Sequence, residues 1–478
     1  MDNYPCLPVP FGGMVKRTLC ALAVTLSLVI ATQSALAASA ASATRATPAA
    51  EAAASAASAA GAAAGRILAD YDGALFHLTK TSSACPDDGT RSNQGGSCWW
   101  WAANAFMALI SYAEKHPHSA DVGKIKTDLS DTYTTVCGGD CPAGPNSTGS
   151  DPFIVNTNGN VYYDDIGWWQ QAWINAYKWT HSKRYLYLAE QLWADVTAHG
   201  WRSGCSGGVI QDTKAGASKD AFANALYLRN SAWLYSITGE TRFMTGSGGN
   251  GGAFKDASFI RGRLIYSYSG TPGNSGAQFM IADHLKGCSA KGSQSWLQSQ
   301  GEMINAWTDM YAAARTYCSK HTCAVAAAYY NRLADELARS VIHDKLVVKK
   351  NGTRTWLFKG KPGQARPTVD AHGILSEPCD AKVSGWPYGC KLGNSAGTYQ
   401  SYLISKGIFE RAIYCSNHNL RDSELTAFAS ANAASIAGLP HFGFLWDSPN
   451  ANQPVILATQ VSVLDGLNAA MTGSYAMC

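Results

Sequence analysis

Two adjacent carboxylates stand in Val161-Tyr162-Tyr163-Asp164-Asp165-Ile166-Gly167-Trp168-Trp169, where a turn-rich stretch gives way to a helical pattern. Glycoside hydrolysis most often uses a pair of carboxyl groups, one passing a proton and the other attacking the sugar or activating water. Consecutive Cα atoms lie about 3.8 Å apart. Short Asp side chains splaying from them can reach the roughly 5 Å separation of retaining enzymes, although this leaves inversion open. Like charges this close push one pKa up, which keeps one acid protonated near neutral pH. The flanking Tyr and Trp rings form a wall on which a sugar ring can lie. The same residues also have an architectural reading, in which Asp164 caps a helix and Asp165 sits in its first turn.

Composition narrows the class. Of 478 residues only 15% are charged, below the usual quarter. The 15 Trp and 22 Tyr serve mostly as core, with the remainder available to a carbohydrate groove. A net charge of +4 without a long Lys/Arg run gives no nucleic-acid footprint. Two of the 14 Cys, Cys6 and Cys20, fall in the leader. The even number left fits an oxidising compartment, with Cys137/Cys141, Cys318/Cys323 and Cys379/Cys390 as candidate bridges. No Cys-x-x-Cys occurs and the His are scattered, so no metal site and no cofactor are expected. Phosphate-loop, Gly-x-Ser-x-Gly and His-Glu-x-x-His motifs are missing as well. Asn146 and Asn351 match the glycosylation acceptor pattern, and both are expected to stay unmodified.

Met14-Val15-Lys16-Arg17, the apolar run Thr18 to Ile30 and Ala35-Leu36-Ala37 have the three regions of a secretory signal peptide. Residues 1–37 therefore read as a leader with a spurious upstream extension. Residues 38–65, almost all Ala, Ser, Thr and Gly, read as a disordered linker. Residues 66–478 read as one domain. The expected product is a secreted or periplasmic monomer, with no membrane contact once the leader is removed.

Within that domain the apolar residues recur at helical spacing. Leu68, Tyr71, Leu75 and Leu78 form one stripe, and Trp101, Ala105, Leu109 and Tyr112 the next. Neighbouring side chains on a helix are about 100° apart, so one of Trp99, Trp100 and Trp101 should leave the core face. Thr134 to Asn160 reads as a long, cleft-shaping loop. Beyond the acids, Trp169, Trp173, Ala176 and Tyr177 form a stripe, then Tyr185, Leu188, Leu192 and Val196, with Thr180 to Arg184 as the turn between. Tyr177-x-x-Thr180 returns as Tyr235-x-x-Thr238, an offset of 235 minus 177, or 58 residues, as repeated helix-turn-helix units require. Trp296–Tyr317, Ala324–Ile342, Tyr399–Tyr414, Asp422–Ile436 and Val461–Met471 supply further helices, and Leu346–Phe358 reads as a hairpin turning at Asn351-Gly352. Roughly ten to twelve helices in antiparallel pairs give an all-α fold, and a closed ring of such hairpins would gather its loops over a cleft.

Tyr163-Asp164-Asp165-Ile166-Gly167-Trp168-Trp169 resembles the signature of glycoside hydrolase family 76, the endo-α-1,6-mannanases. Gly373-Ile374-Leu375-Ser376-Glu377-Pro378-Cys379-Asp380 and Lys406-Gly407-Ile408-Phe409-Glu410-Arg411 resemble two further family stretches in the same order. The resemblance runs from about Ile67 to Ile436. It implies an (α/α)6 barrel and a retaining cut within α-1,6-linked mannose chains, with a polysaccharide as partner. By position Asp164 matches the nucleophile and Asp165 the acid/base. Asp283 resembles a further cleft carboxylate and Asn224 an Asn on a helix facing the site, with a solvated loop acid and a buried hydrogen-bonded amide as the respective alternatives. Tyr163, Trp168, Trp169 and Gly207 complete the candidate sugar-binding set. Glu377, before a proline, reads as a structural acid.

Departures from the family pattern touch Ser206 and Gln211 in the glycine-rich segment Cys205 to Gln211, most of Leu297 to Gly301 apart from its final Gln-Gly, and His284 in place of Gly. They bear on sugar subsites more than on the reaction. Two other functions stay open: a non-catalytic α-mannan-binding protein on the same fold, and a helical-barrel hydrolase of another glycan. A uronide-cleaving site would need cations beside the acids, and none adjoins Asp164 in the sequence.

Overall fold

The computed structural model describes residues 48–77, 99–138, 141, 156–157, 160–290, 295–343, 346–348, 354–356, 368–369, 374–376, 403–440, 446 and 456–471. The chain divides into one unit at Met1–Ala52 and a second at Ala53–Cys478. Alanine is the best helix former, and the alanine-rich stretch forms helix α1 (Pro48–Ala69). Within the second unit Ala56, Ala60, Ala63, Ala64 and Ile67 of α1 are buried. The expectation of a disordered linker through residue 65 is thus corrected from residue 48 onward. Small side chains let a helix lie close to its neighbour, and a Cβ at Gly61 would stand 3.5 Å from the Tyr112 hydroxyl. The stripe expected through Tyr71 and Leu75 fails for a local reason. The helix ends at Ala69, and the chain beyond it turns at Gly73, at φ +101°, where the Asp72 carboxylate accepts from the N–H groups of Ala74 and Leu75.

The helices that follow are α2 (Trp99–Lys115), α3 (Asp121–Cys137), α4 (Tyr163–Thr180), α5 (Lys183–Asp195, continuing as a π turn to Gly200) and α6 (Ala221–Thr238). Then come the single-turn α7 (Arg242–Thr245), α8 (Ala253–Arg263), α9 (Leu297–Cys318), α10 (Ala328–Ile342), α11 (Ser405–Leu420), α12 (Ser423–Ala437) and α13 (Leu457–Ala469). Two-stranded antiparallel ribbons join β1 (Asn156–Thr157) to β2 (Asn160–Val161), β3 (Ile265–Ser269) to β4 (Gln278–Ile281), β5 (Leu346–Val348) to β6 (Arg354–Trp356), and β7 (Thr368–Val369) to β8 (Leu375–Ser376). The hairpin read at 346–358 is present, with Leu346 opposite Trp356. The β3–β4 ribbon, bulged between Ser267 and Ser269, was not foreseen.

Helices α2, α4, α6, α9, α11 and α13 pack in that order, and α13 returns to α2. They form the inner ring of an (α/α)6 barrel. Outer helices α3, α5, α8, α10 and α12 each lie on the inner helix preceding them in the chain. A helix with neighbours on every side buries its whole circumference, so Trp99, Trp100 and Trp101 are all buried and none turns away from the core. Helix α3 also runs into the stretch read as loop, ending at Cys137 with Gly138 in the left-handed region.

The 58-residue repeat is structural. His181 and Gly239 both sit in the left-handed region and donate to Tyr177 O and Tyr235 O. Thr180 and Thr238 each donate their hydroxyl to the carbonyl four residues back. Each then accepts from the N–H two residues on, Ser182 and Glu240. A Thr at the last position of each inner helix therefore sets the same exit path twice.

Two devices tighten the ring. Glycines sit at three inner crossings: a Cβ at Gly167 would come 2.8 Å from Leu226, at Gly301 2.7 Å from the Phe409 backbone, and at Gly407 2.5 Å from the Ser462 backbone. Two buried arginines tie three helices each. Arg229 (α6) donates to Asp309 (2.8 Å) and Glu302 (3.2 Å) of α9 and to Gln171 of α4 (3.3 Å). Arg411 (α11) donates to Asn104 of α2 (2.9 Å) and pairs with Asp465 of α13 (3.5 Å). Disulfides Cys137–Cys141 and Cys318–Cys323 form as read, and Cys205–Cys288 is an additional, long-range bridge. The Cys379/Cys390 pairing lies outside the described residues, as do both glycosylation patterns.

Removing one partner of a buried ion pair leaves a charge without compensation, which costs about 3–5 kcal/mol. Arg229→Met should therefore lower unfolding stability by that order in a denaturant titration. A loss below about 1 kcal/mol would show that the cluster does not hold the ring.

Candidate active site

The segment entering α4 is fixed by backbone pairing. Tyr162 and Asp212 form an antiparallel bridge. Tyr163 donates its N–H to Gln211 O (2.7 Å), Thr213 N–H donates to Val161 O (3.0 Å), and Val161 N–H to the Thr213 hydroxyl (2.9 Å). The N-cap of α4 is Tyr162, in an extended conformation and without a side-chain cap bond. Asp164 is thus not the cap. It stands with Asp165 in the first turn, where the helix N-terminus favours negative charge. The Asp164 carboxylate accepts from the Asp165 N–H at 3.0 Å and from the Gln211 side chain.

Three more carboxylates converge here. Asp220 caps α6, accepting from Ala223 N–H at 2.8 Å. Its neighbour Ala221 donates to Asp283 O (2.6 Å), which brings the Asp283 segment alongside. Asp212 arrives on the ribbon opposite Tyr162. Asp212 and Asp220 were not singled out in the sequence, where each reads as an ordinary loop or cap acid. The usable signal was Asp220 four residues before Asn224, at a helix start. The nearby cation, Lys214, is already engaged by the Tyr162 hydroxyl (2.7 Å) and Asp212 (3.8 Å).

These surroundings set the charge states. Asp164 is half-buried at the rim, yet loss of water raises its pKa to about 6, against the lowering effect of its hydrogen bonds and with Asp212 adding a further push upward. Asp165 is raised well above the usual carboxylate range by desolvation and then by Asp164. Asp220 is raised well above that range too, by burial first and then by Asp164, Asp283 and Asp212. Both acids are thus raised, and Asp165 is pushed the further, which favours it as the holder of a proton shared by the pair.

The other sequence candidates fall into two groups. Asp283 is half-buried beside Asp220, with its carboxylate 3.0 Å from His284 Nδ1. Asn224 is fully buried and its amide is used by backbone, accepting from Val209 N–H (2.8 Å) and donating to Val209 O (2.9 Å) and Asp220 O (2.6 Å). It positions the 207–211 loop, which corrects its reading as a sugar contact. Trp169 is a core ring packed on Trp99 (4.8 Å) and Trp173 (5.5 Å). Trp168 is buried against Trp100 and Phe222, both at 6.2 Å, and Tyr163 lies under Gly200. The aromatic wall is thus mostly foundation, because an inner-ring helix buries every face; Tyr162 is the half-exposed ring of the set. Gly207, at φ +113°, is buried where a Cβ would meet the Trp201 ring at 2.9 Å, so it serves the loop's path.

Supports around the site explain several departures. Lys219 Nζ donates to the carbonyls of Arg202, Gly204 and Gly207, pinning the altered loop, and the Cys205–Cys288 bridge ties it to the segment after Asp283. Gln300 accepts from Ile281 N–H (2.8 Å) and donates to Ile281 O (2.9 Å). The retained Gln300-Gly301 thus holds the strand leading to Asp283 and permits the α9–α11 crossing. Glu377 lies outside the described residues.

A closed ring of helical hairpins with carboxylates gathered at the N-terminal ends of its inner helices is the architecture of a helical-barrel glycoside hydrolase. The chain belongs to glycosyl hydrolase family 76, whose family model matches residues 55–350. Among curated proteins none matches. The fold is similar to an inactive variant, with two consecutive aspartates changed to alanine, of the α-1,6-mannanase GH76A of Salegentibacter sp. HEL1_6 in complex with alpha-1,6-mannotetrose. That likeness has a TM-score of 0.57 and 17% identity over 87% of this chain and 98% of that one. It is also similar to the family 76 mannosidase Bt3792 of Bacteroides thetaiotaomicron VPI-5482 (TM-score 0.55, 12% identity, 86% and 97% covered). Dfg5 from Chaetomium thermophilum in complex with glucosamine is a third neighbour (TM-score 0.57, 14% identity, 87% and 90% covered).

Carboxyls with raised folded-state pKa values bind more protons folded than unfolded, so they make stability fall as pH rises above about 3.9, the unfolded value. Asp220→Asn keeps the helix cap, since Asn caps as well as Asp, and removes one such group. It should raise the melting temperature by a few degrees at pH 7.5 and leave it nearly unchanged at pH 4. An equal shift at both pH values would contradict the crowding of Asp164, Asp165, Asp212, Asp220 and Asp283.

Proposed function

We propose that this family 76 hydrolase cuts internally within α-1,6-linked mannose chains with retention, Asp164 acting as nucleophile and Asp165 as acid/base. The observation that carries the reading is the unequal environment of two consecutive acids in one helical turn: Asp164 accepts from the Asp165 N–H and from the Gln211 side chain, while Asp165 is desolvated beside the Asp164 charge. The Salegentibacter neighbour, inactive when two consecutive aspartates are replaced and holding an α-1,6-mannose oligosaccharide, supports it.

In the first step Asp165 gives its proton to the glycosidic oxygen as that bond breaks, and Asp164 Oδ bonds to the anomeric carbon. In the second, Asp165, now ionised, takes a proton from water, which attacks the same carbon and frees Asp164. Asp283, half-buried beside Asp220, adds negative potential that favours a developing oxocarbenium ion. No described residue places an unpaired cation at the pair, which argues for a neutral sugar. The basic and apolar leader pattern and the disulfides support export, and no helix among the described residues is long and apolar enough to cross a membrane. We infer a monomer acting outside the cytoplasm.

Asp164→Asn and Asp165→Asn, each folded by circular dichroism, should lose at least about a thousandfold in reducing-end release from linear α-1,6-mannan, the order that loss of nucleophilic or acid–base chemistry brings. The wild-type chain should release the α-anomer first. Near-normal turnover in either variant would remove the assigned roles, a β-anomer would replace retention by inversion, and oligosaccharide binding without product would leave a binding protein. Turnover of a glycan panel by the wild-type chain with mannan untouched would move the substrate. Because Asp164 must be ionised and Asp165 protonated, kcat/KM should rise through an apparent pKa of about 6 and fall at a higher one, both belonging to the pair.

A further inference from the structure

Alternate residues of a strand face opposite sides. On the ribbon that leads into α4, Tyr162 and its bridge partner Asp212 share one face, and Val161, Tyr163 and Thr213 share the other. Behind that second face lies a cavity of about 410 Å³, lined by Val161, Tyr163, Asp195, His199, Arg202 and Thr213, a size within the range of small-molecule sites. It is walled by the end of α5 and its π turn, away from the face that carries Asp212.

Its polar groups are set for a ligand. Tyr163 is only 3% exposed, and its hydroxyl has no hydrogen-bond partner among the described residues. Asp195 Oδ1 is held by His199 Nδ1 at 2.7 Å, leaving Oδ2 without a partner among the described residues. Arg202 gives one guanidinium N–H to Trp201 O at 2.9 Å, with no other partner among the described residues. A phenol, a carboxylate fixed by His and a guanidinium together bind vicinal hydroxyls, which both donate and accept. The carboxylate disfavours a phosphate or sulfate, and the guanidinium disfavours a cation.

We propose that this cavity is a second, non-catalytic sugar site that holds a neutral mannosyl residue of the substrate polymer lying outside the cleft. The proposal rests on the mannan reading above. Because Tyr163 precedes Asp164 directly, a chain held in both places is anchored on either side of the ribbon that sets the nucleophile, so the site favours long chains over short ones.

The test uses the full chain. Calorimetric titration of the Asp164→Asn/Asp165→Asn double variant with α-1,6-mannotriose should fit two sites per chain. Adding Ala198→Trp, whose exposed position borders the cavity, or Arg202→Gln should leave one. In the active enzyme the same two substitutions should leave kcat/KM on a short labelled mannooligosaccharide unchanged and lower that on long α-1,6-mannan at least about threefold. One site per chain, insensitive to both substitutions in a chain that hydrolyses mannan, would overturn the second site alone. A wild-type chain that neither binds the trisaccharide nor cuts mannan would overturn both readings.

Discussion

Like charges crowded into a small, partly dry volume repel, and five aspartates, 164, 165, 212, 220 and 283, meet at one end of this barrel. They come from the first turn of α4, the ribbon beside it, the cap of α6 and the segment after β4, so no single element places them. Something must hold those elements against the repulsion. The inner ring does so through contacts that leave no slack: glycines where helix backbones nearly touch, and Arg229 and Arg411 each clamping three helices. Lys219, Gln300 and Asn224 then fix the loops that carry the acids to their helices. The scaffold's rigidity and the site's chemistry are two aspects of one constraint.

The crowding is also what divides labour between two identical side chains. Asp164 has hydrogen-bond donors that ease its ionisation, and Asp165 has its neighbour's charge and no such donor among the described residues. With both acids alike in type and adjacent in sequence, only their surroundings can make one a nucleophile and the other a proton donor. That is the same logic that assigns roles to unequal carboxylates elsewhere, compressed here into one helical turn.

Much of this was legible in the sequence because it is local. Helical stripes, the paired Thr caps at 180 and 238, the short-range disulfides and the Asp pair all depend on near neighbours. What was not legible depends on packing. Alanine tracts are ambiguous between linker and helix until a neighbouring surface is known, and α1 found one. The aromatic residues around the acids looked like a sugar wall, but an inner-ring helix has no free face, so Trp168, Trp169 and Tyr163 went inward. The Cys205–Cys288 bridge spans 83 residues and follows from the loops' meeting, not from spacing. Asp212 and Asp220 needed the ribbon and the cap to be seen as members of the site.

The central claim is that Asp164 is the residue that bonds to the sugar. A mannoside activated at the anomeric carbon and slowed by fluorine at C2 forms its glycosyl ester faster than it loses it, so the intermediate accumulates. Intact mass followed by peptide sequencing of the trapped enzyme locates the added sugar. The account predicts one adduct per chain, on Asp164, absent from Asp164→Asn. An ester on Asp165, or an adduct that still forms in Asp164→Asn, would contradict it.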